Sequence, residues 1–202
     1  MAQVKEAHPD HTIEAVLAKR WSPYGFAKKD VATEDLLGIL EAARWAPSSY
    51  NEQPWRYILA RRSDLAAFEK LLSCLVDGNQ AWAKHVPVLL IGIAMMKFAR
   101  NGKPNKAAAH DLGLAAGNMC VEATARGLFV HQMIGIVPER VRELYNVPED
   151  AEPLTAVAIG HLGDGNSIPS PLQGRDREPR TRRPVREFVF GASWDRPARL
   201  GD

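Results

Sequence analysis

A continuous apolar segment, residues 86–96, lies near the middle of the 202-residue chain. A helix needs about 20 apolar residues to span a bilayer, so this segment is too short to be a membrane helix. Its length and aliphatic composition are instead typical of a β-strand buried in a hydrophobic core. We therefore expect a globular fold built around this strand, and we predict no association with a membrane.

Amphipathic patterns on both sides of this strand predict helices and further strands. Helices are expected over 12–19, 33–46, a segment after Ser63, a short turn at 79–84, an Ala- and Gly-rich stretch at 106–126, and a segment that begins at Pro138. Strands are expected at 55–60, 128–133 and 154–161. Thr33 and Ser63 are residue types that cap helix N-termini, and proline is favoured at the first helical position. The elements do not alternate strictly, which favours an α+β fold over a doubly wound sheet.

The composition is that of an ordinary globular protein. Apolar residues make up 46% of the chain and charged residues 25%, and the net charge of +2 gives no general reason to expect nucleic acid as a partner. Cys74 and Cys120 lie far apart without a CxxC motif, so neither a disulfide framework nor a zinc site is predicted. The N-terminal residues lack the apolar region of a signal peptide, so we expect a cytoplasmic protein.

The last fifth of the chain differs from the rest. We expect one domain over 1–202, with a core at 12–163 and a C-terminal arm at 164–202. The arm contains several prolines, and six arginines lie between residues 175 and 186. It has no apolar period before a strand-like pattern at 185–190. Because such a segment cannot bury a core of its own, it must lie across another surface.

The common nucleotide and hydrolase motifs are absent from the sequence. There is no GxGxxG, P-loop, GxSxG or HExxH pattern. The segment GHLGDG, residues 160–165, follows a predicted strand, but its glycine spacing is wrong for a dinucleotide fingerprint and no helix pattern follows. It is therefore predicted to be a turn, and no Rossmann site for a nicotinamide cofactor is expected.

Four separated segments carry residue types that are common in cofactor-binding and catalytic sites. They are RWSPYGF at 20–26, APSSYNEQPW at 46–55, GLFVHQMIG at 127–135 and RTRRP at 180–184. Taken alone, each has an ordinary structural explanation: a surface turn, a capping loop, polar groups at a strand end, and a solvated basic face. The basic segment could also bind nucleic acid, but it lacks interleaved aromatic residues and any module that reads bases, which disfavours this alternative.

Taken together and in this order, the segments resemble the nitroreductase family. Its members open with an Arg-Arg/His-Ser-x-Arg/Lys-x-Phe element, end a helix with Ala-Pro-Ser-Ser-x-Asn-x-Gln-Pro-Trp, and carry a late Arg-x-Arg-Lys-Pro-Leu segment. The resemblance spans about residues 12–194, and RWAPSSYNEQPW at 44–55 is its most specific part. It implies a three-layer α+β fold, with a mostly antiparallel central sheet flanked by helices. It also implies a homodimer in which the C-terminal arm, with its strand, crosses onto the partner.

The resemblance further implies bound FMN, with NADH or NADPH as the electron donor. The matched positions are Arg20, Trp21, Ser22, Tyr24, Pro47, Ser48, Ser49, Asn51, Asn79, His131, Gln132, Met133, Gly135, Arg180 and Arg182. Guanidinium groups form several charge-assisted hydrogen bonds to a phosphate, which suits the three arginines, with Ser22 as a smaller donor. Side-chain amides both donate and accept, which suits the edge of the flavin ring. Residues 47–49 would reach the flavin from the partner subunit.

The implied reaction is hydride transfer from NAD(P)H through flavin N5 to a small organic acceptor such as a nitroaromatic or a quinone. No catalytic side chain and no metal are expected, because the cofactor carries the chemistry. Two alternatives remain open: another redox reaction of FMN (dehalogenation, ene-type reduction or dehydrogenation), and flavin binding without turnover.

Two residues depart from the family pattern. Tyr24 stands where the family has Arg or Lys, and Trp21 stands where it has Arg or His. A neutral phenol brings no charge to a reduced flavin, so we expect slower reduction by NAD(P)H unless another cation, such as Lys84 or Arg126, takes that place.

Overall fold

The computed structural model describes residues 5–165 and 168–200. Within them, four strands form one antiparallel sheet in the order β1-β2-β4-β3. The strands are β1 (Trp55–Arg61), β2 (Val88–Met95), β3 (Phe129–Met133) and β4 (Ala151–Gly160). β2 is buried at every position except its last, which confirms the prediction of a buried central strand.

Helices cover both faces of this sheet. They are α1 (Ala15–Lys19), α2 (Thr33–Arg44), α3 (Leu65–Leu72), α4 (Asp77–Ala83), α5 (Ala108–Ala125), α6 (Pro138–Tyr145) and α7 (Ser170–Arg177). Side chains alternate across a strand, so successive residues of β2 enter opposite cores. Leu89 and Ile91 pack with α3 and α4, whereas Val88 and Leu90 pack with α2 and α5. The three-layer α+β fold is therefore confirmed.

The helix starts differ in detail from the sequence-based expectation. Thr33 is the first residue of α2, and its N-cap is Ala32, whose side chain cannot cap. The cap of α3 is Asp64 rather than Ser63, because the Asp64 carboxylate accepts a hydrogen bond from the Ala67 amide. Pro138 is the first residue of α6, as predicted. In the described ranges, no helix combines the length and the apolar character needed to cross a bilayer.

The C-terminal arm has more local structure than expected. Pro169 is the N-cap of α7 and Pro171 lies in its first turn, where proline is tolerated, so these two prolines mark a helix start and not an irregular segment. The strand expected at 185–190 is wrong: Val185–Glu187 is a 3-10 turn, closed by a hydrogen bond from Glu187 N to Pro184 O. A strand needs a neighbour to bond with, and within residues 185–190 only Phe190 forms a bridge, with Pro197.

The first part of the arm packs on its own chain. Asp176 bonds to the backbone of Tyr24, and Arg180 bonds to the backbone of Ala18. The crossing of the remainder onto a partner stays a prediction. Residues 1–4, 166–167 and 201–202, which belong to the predicted domain and arm, lie outside the described residues.

Candidate functional site

The loop between α2 and β1, residues 47–54, has an unusual backbone, and we call it the strained loop. Tyr50, Asn51 and Gln53 have φ angles of 53°, 55° and 50°. The left-handed region costs a residue with a side chain about 1–2 kcal/mol, so surrounding contacts must hold this conformation. Backbone strain of this kind concentrates at functional sites.

Two hydrogen bonds hold the strained loop. Gln53 N donates to the hydroxyl of Ser48 over 3.0 Å, and Ser49 N donates to the carboxylate of Asp111 over 3.0 Å. Asp111 lies on α5 and is 2% exposed, so its carboxylate requires such partners. Pro47 is exposed, while Ser48 and Ser49 are half-buried. The Asn51 side-chain oxygen accepts from the Gln53 amide over 3.2 Å.

Three arginines, Arg20, Arg180 and Arg182, form a second group, which we call the arginine cluster. Burial lowers the pKa of Arg180, and the positive charges of Arg20 and Arg182 lower it further. The Arg180 guanidinium is also bonded to the backbone two residues before Arg20, so these two arginines lie close in space, and Arg182 follows Arg180 by two positions. Arg20 donates to the hydroxyl of Ser22 over 3.3 Å. Arg180 donates to Ala18 O over 2.6 Å. Among the described residues, no member of the cluster pairs with a carboxylate.

Aromatic packing surrounds Tyr24. Its ring centroid lies 5.2 Å from that of Trp82 and 4.6 Å from that of His131. Nδ1 of His131 lies 2.8 Å from Pro23 O, and because a carbonyl only accepts, Nδ1 carries the hydrogen. Burial is the main cause that lowers the pKa of His131. Trp21 is buried nearby, with its ring edge-on to that of Phe129.

Helix α7 covers Tyr24. The carboxylate of Asp176 accepts hydrogen bonds from Tyr24 N and Gly25 N, each over 3.0 Å. Arg175 Nη1 donates to the hydroxyl of Tyr24 over 3.2 Å. A cation therefore does lie beside Tyr24. Arg126, one of the two candidates, is instead bonded to Glu122 at the end of α5.

The remaining predicted residues lie at the end of β3 and on α4. Asn79 Nδ2 donates to Gly135 O over 3.0 Å. A Cβ atom on Gly135 would lie 2.5 Å from Asn79 Nδ2, so this approach requires glycine. Gln132 Nε2 donates to the sulfur of Cys120 over 3.1 Å, while Met133 is buried in the core.

Comparison with known proteins identifies the family. The family model described as "Nitroreductase family" matches residues 17–161. The chain belongs to the nitroreductase family. This confirms the family resemblance; three of the four sequence segments lie within the matched residues, and the fourth, at 180–184, lies beyond them.

Relatives extend the similarity of this chain beyond the matched range. A crystal structure described as an oxidoreductase containing FMN has a TM-score of 0.88 and 31% identity, covering 96% of this chain and 98% of the other. An uncharacterised 15.4 kDa protein of Mycolicibacterium smegmatis is 32% identical, over 70% of this chain and 99% of the relative. The FMN reductase (NAD(P)H) of Bacillus subtilis is 31% identical, over 69% of this chain and 61% of the relative.

The nitroreductase chain brings its predicted site residues together in groups. At the end of β3, Gln132 Nε2 contacts α5 through the sulfur of Cys120, and burial raises the pKa of that thiol while the Gln132 hydrogen bond and the charge of Arg20 lower it in part. The strained loop lies apart. Within the described residues, the hydrogen bonds of this loop that involve a side chain join it to Asp111, to Ala99, to Arg56 and to the loop itself.

A cavity of about 710 Å³ lies between the N-terminal segment, the loop after β4 and α7 of the nitroreductase chain. Of the predicted site residues, only Trp21 and Arg180 line it. Sequence reasoning also missed Arg175, Asp176 and Asp111. No sequence motif marks them, because each forms its hydrogen bond with a residue more than 60 positions away along the chain.

Proposed function

We propose that this member of the nitroreductase family binds FMN and uses NADH or NADPH to reduce a small organic acceptor. The observation that carries the proposal is the arginine cluster, in which Arg20, Arg180 and Arg182 lie near one another without a carboxylate partner in the described chain. Like charges held close together repel one another, an anion between them relieves that repulsion, and planar guanidinium groups fit a phosphate. The Ser22 hydroxyl, already next to Arg20, supplies a further donor.

Polar groups on α4, at the end of β3 and in the segment before α2 suit the flavin ring. The Asn79 amide nitrogen is bonded to Gly135 O, which orients the side chain and leaves its oxygen to accept from a ligand. Gln132 is exposed at the end of β3, and the Tyr24 hydroxyl is polar and paired with Arg175. These three side chains would bind and orient the ring.

The chemistry of the proposal requires no protein nucleophile or acid. Bound FMN supplies N5, which carries the hydride between donor and acceptor. His131 is the nearest imidazole to Tyr24, but its lowered pKa keeps it neutral, and its Nδ1 hydrogen is bonded to Pro23 O. We therefore assign it a packing role beside the site.

Support for a homodimer comes from exposed apolar side chains. Trp45 is 72% exposed, Tyr50 76%, Ile134 84% and Trp194 82%. On α5, a Cβ atom built at Gly113 would meet no atom within 4 Å, so another backbone can approach this helix closely. A second copy of the chain would bury these groups. The strained loop of that copy would then reach the flavin site beside the arginine cluster of the first copy.

The test of this function is anaerobic reduction of the FMN-loaded protein by NADH and by NADPH, followed by a screen of nitroaromatic and quinone acceptors. We expect bleaching of the flavin absorbance by at least one donor and recovery on addition of an acceptor. Light scattering on the same sample should give the mass of a dimer. We expect its interface to exceed the ~1,600 Å² of ordinary complexes. Bound FMN that neither donor reduces would contradict the proposed reaction, and a stable monomer that retains FMN would contradict the dimer.

A further inference from the structure

A short hairpin follows β2, and we call residues 96–106 the basic hairpin. Asn105 N donates to Met96 O over 2.8 Å, and Phe98 N donates to Lys103 O over 2.9 Å, so its backbone is well held. Gly102, with a φ of 69°, makes the turn. Its cations are Lys97, Arg100, Lys103 and Lys106, all exposed, and it contains no Asp or Glu. The hairpin therefore presents positive charge to solvent without an acidic residue of its own.

The basic hairpin is fixed against the strained loop. Ala99 N donates to the Glu52 carboxylate over 2.5 Å, and the Tyr50 and Phe98 rings meet edge-to-face at 5.9 Å. The guanidinium of Arg100 lies 4.2 Å from the centre of the Tyr50 ring. Charged side chains on an isolated surface hairpin would be solvated and mobile, whereas these contacts give the hairpin a defined position beside residues 50–52. The charge of Arg100 thus lies on the strained loop, and the three lysines lie on the same short hairpin.

We propose that the basic hairpin binds the 2′-phosphate of the nicotinamide donor, so that this protein uses NADPH in preference to NADH. The inference rests on the proposed function, in which the strained loop reaches the flavin of the partner subunit, where the donor must also bind. NADPH differs from NADH by one phosphate monoester, which carries about 1.5 to 2 negative charges at neutral pH. Lys103 and Lys106 attract that charge, and the Arg100 guanidinium plane can also stack on an adenine ring.

The test removes two hairpin charges and keeps the backbone contacts. Among the described residues, the side chains of Lys103 and Lys106 form no hydrogen bond or ion pair, so the double variant Lys103→Gln/Lys106→Gln leaves the fold intact. For the FMN-loaded enzyme, we expect the KM for NADPH to rise about fivefold to tenfold and the KM for NADH to rise less than about twofold, which corresponds to loss of two exposed charge contacts. The KM for a neutral quinone should not change.

The matched control is Lys28→Gln/Lys29→Gln, which removes the same charge from two exposed lysines between α1 and α2. Both KM values should stay at the wild-type level. Equal rises in the KM for NADPH in the two variants would mean that only diffuse charge acts. Equal rises for NADH and NADPH in the hairpin variant would exclude recognition of the 2′-phosphate, as would no change in either.

A binding measurement separates this proposal from the proposed function. Adenosine 2′,5′-bisphosphate, titrated calorimetrically into the protein, should bind more tightly than ADP, and the hairpin variant should lose that difference. Added salt should weaken the binding, since exposed charges are screened. Failure of the protein to take up FMN would reject the proposed function, whereas FMN uptake with equal binding of the two adenosine nucleotides would reject only the role of the basic hairpin.

Discussion

Arg175 Nη1 donates a hydrogen bond to the hydroxyl oxygen of Tyr24 over 3.2 Å. Tyr24 is the residue that replaces a basic side chain in the family pattern, and its neutral phenol is here paired with a cation from α7. Asp176, the next residue of α7, accepts hydrogen bonds from the Tyr24 and Gly25 amides. Helix α7 therefore places a cation at the hydroxyl of Tyr24 and a carboxylate at its backbone, so the positive charge lies at the end of the side chain, where position 24 itself carries none.

The first prediction concerns the coupling between these two residues. Tyr24→Arg should raise the two-electron potential of bound FMN, and Arg175→Gln should lower it by roughly 5 to 20 mV, the equivalent of ~0.2–1 kcal/mol for one exposed charge. Because both changes act on the charge at one place, Tyr24→Arg should raise the potential more when Arg175 is absent. Spectroscopic redox titration of the two single variants and the double variant measures this. If the shifts in flavin potential of the two single variants simply add up in the double variant, the charges at positions 24 and 175 do not act on the same part of the flavin.

The second prediction concerns Gly135. A Cβ atom there would lie 2.5 Å from Asn79 Nδ2 and 2.9 Å from Val76 Cγ2, so Gly135→Ala must displace the Asn79 amide. We expect the variant to lose about 1–3 kcal/mol of unfolding free energy and to bind FMN more weakly. Gly174→Ala is the matched control, because a Cβ atom at Gly174 meets nothing within 4 Å. Chemical denaturation and FMN titration of both variants test this, and equal behaviour would contradict the packing argument.

The third prediction concerns the titration of His131. Burial lowers its pKa, and the hydrogen bond to Pro23 O and the charge of Asp176 oppose this only in part. Its folded-state pKa therefore lies below the unfolded value of about 6.5. The stabilising effect of the neutral imidazole is complete above that unfolded value and is lost as the pH falls through it toward the folded value. The NMR signal of the His131 ring should titrate at a lower pH than an unfolded-peptide reference, and a higher pH would contradict the packing role.

Sequence reasoning reached the parts of this protein that local patterns encode. The buried strand β2 follows from its apolar run, and the residue pattern at 44–55 is specific enough to indicate the family without knowledge of the fold. The structure of α7 could not be predicted, because Ser170–Arg177 has no apolar stripe and is positioned by hydrogen bonds to residues about 150 positions away. The positive φ angles of Tyr50 and Gln53 were equally hidden, since neither is glycine and the contact from Asp111 holds the loop.

The fourth prediction concerns the arginine cluster. Arg182→Ala should weaken FMN binding by about 1.5–3 kcal/mol, or roughly tenfold to hundredfold in Kd, because charge-assisted hydrogen bonds to phosphate are lost. Arg196→Ala removes an exposed arginine of the same arm outside the cluster and should leave the Kd close to that of wild type. Fluorescence titration of FMN with each variant gives the two values. Equal weakening would show that the arm acts through its overall charge and not through the residue assigned to the phosphate.

The most direct measurement is the visible spectrum of the purified wild-type protein during titration with FMN, with the released cofactor identified afterwards. Convergence of Arg20, Arg180 and Arg182 without a carboxylate partner in the described chain predicts saturable binding, one FMN for each chain, with perturbed flavin absorbance and quenched flavin fluorescence. A protein that stays colourless, and leaves the fluorescence of added FMN unchanged at every concentration, would contradict the central claim.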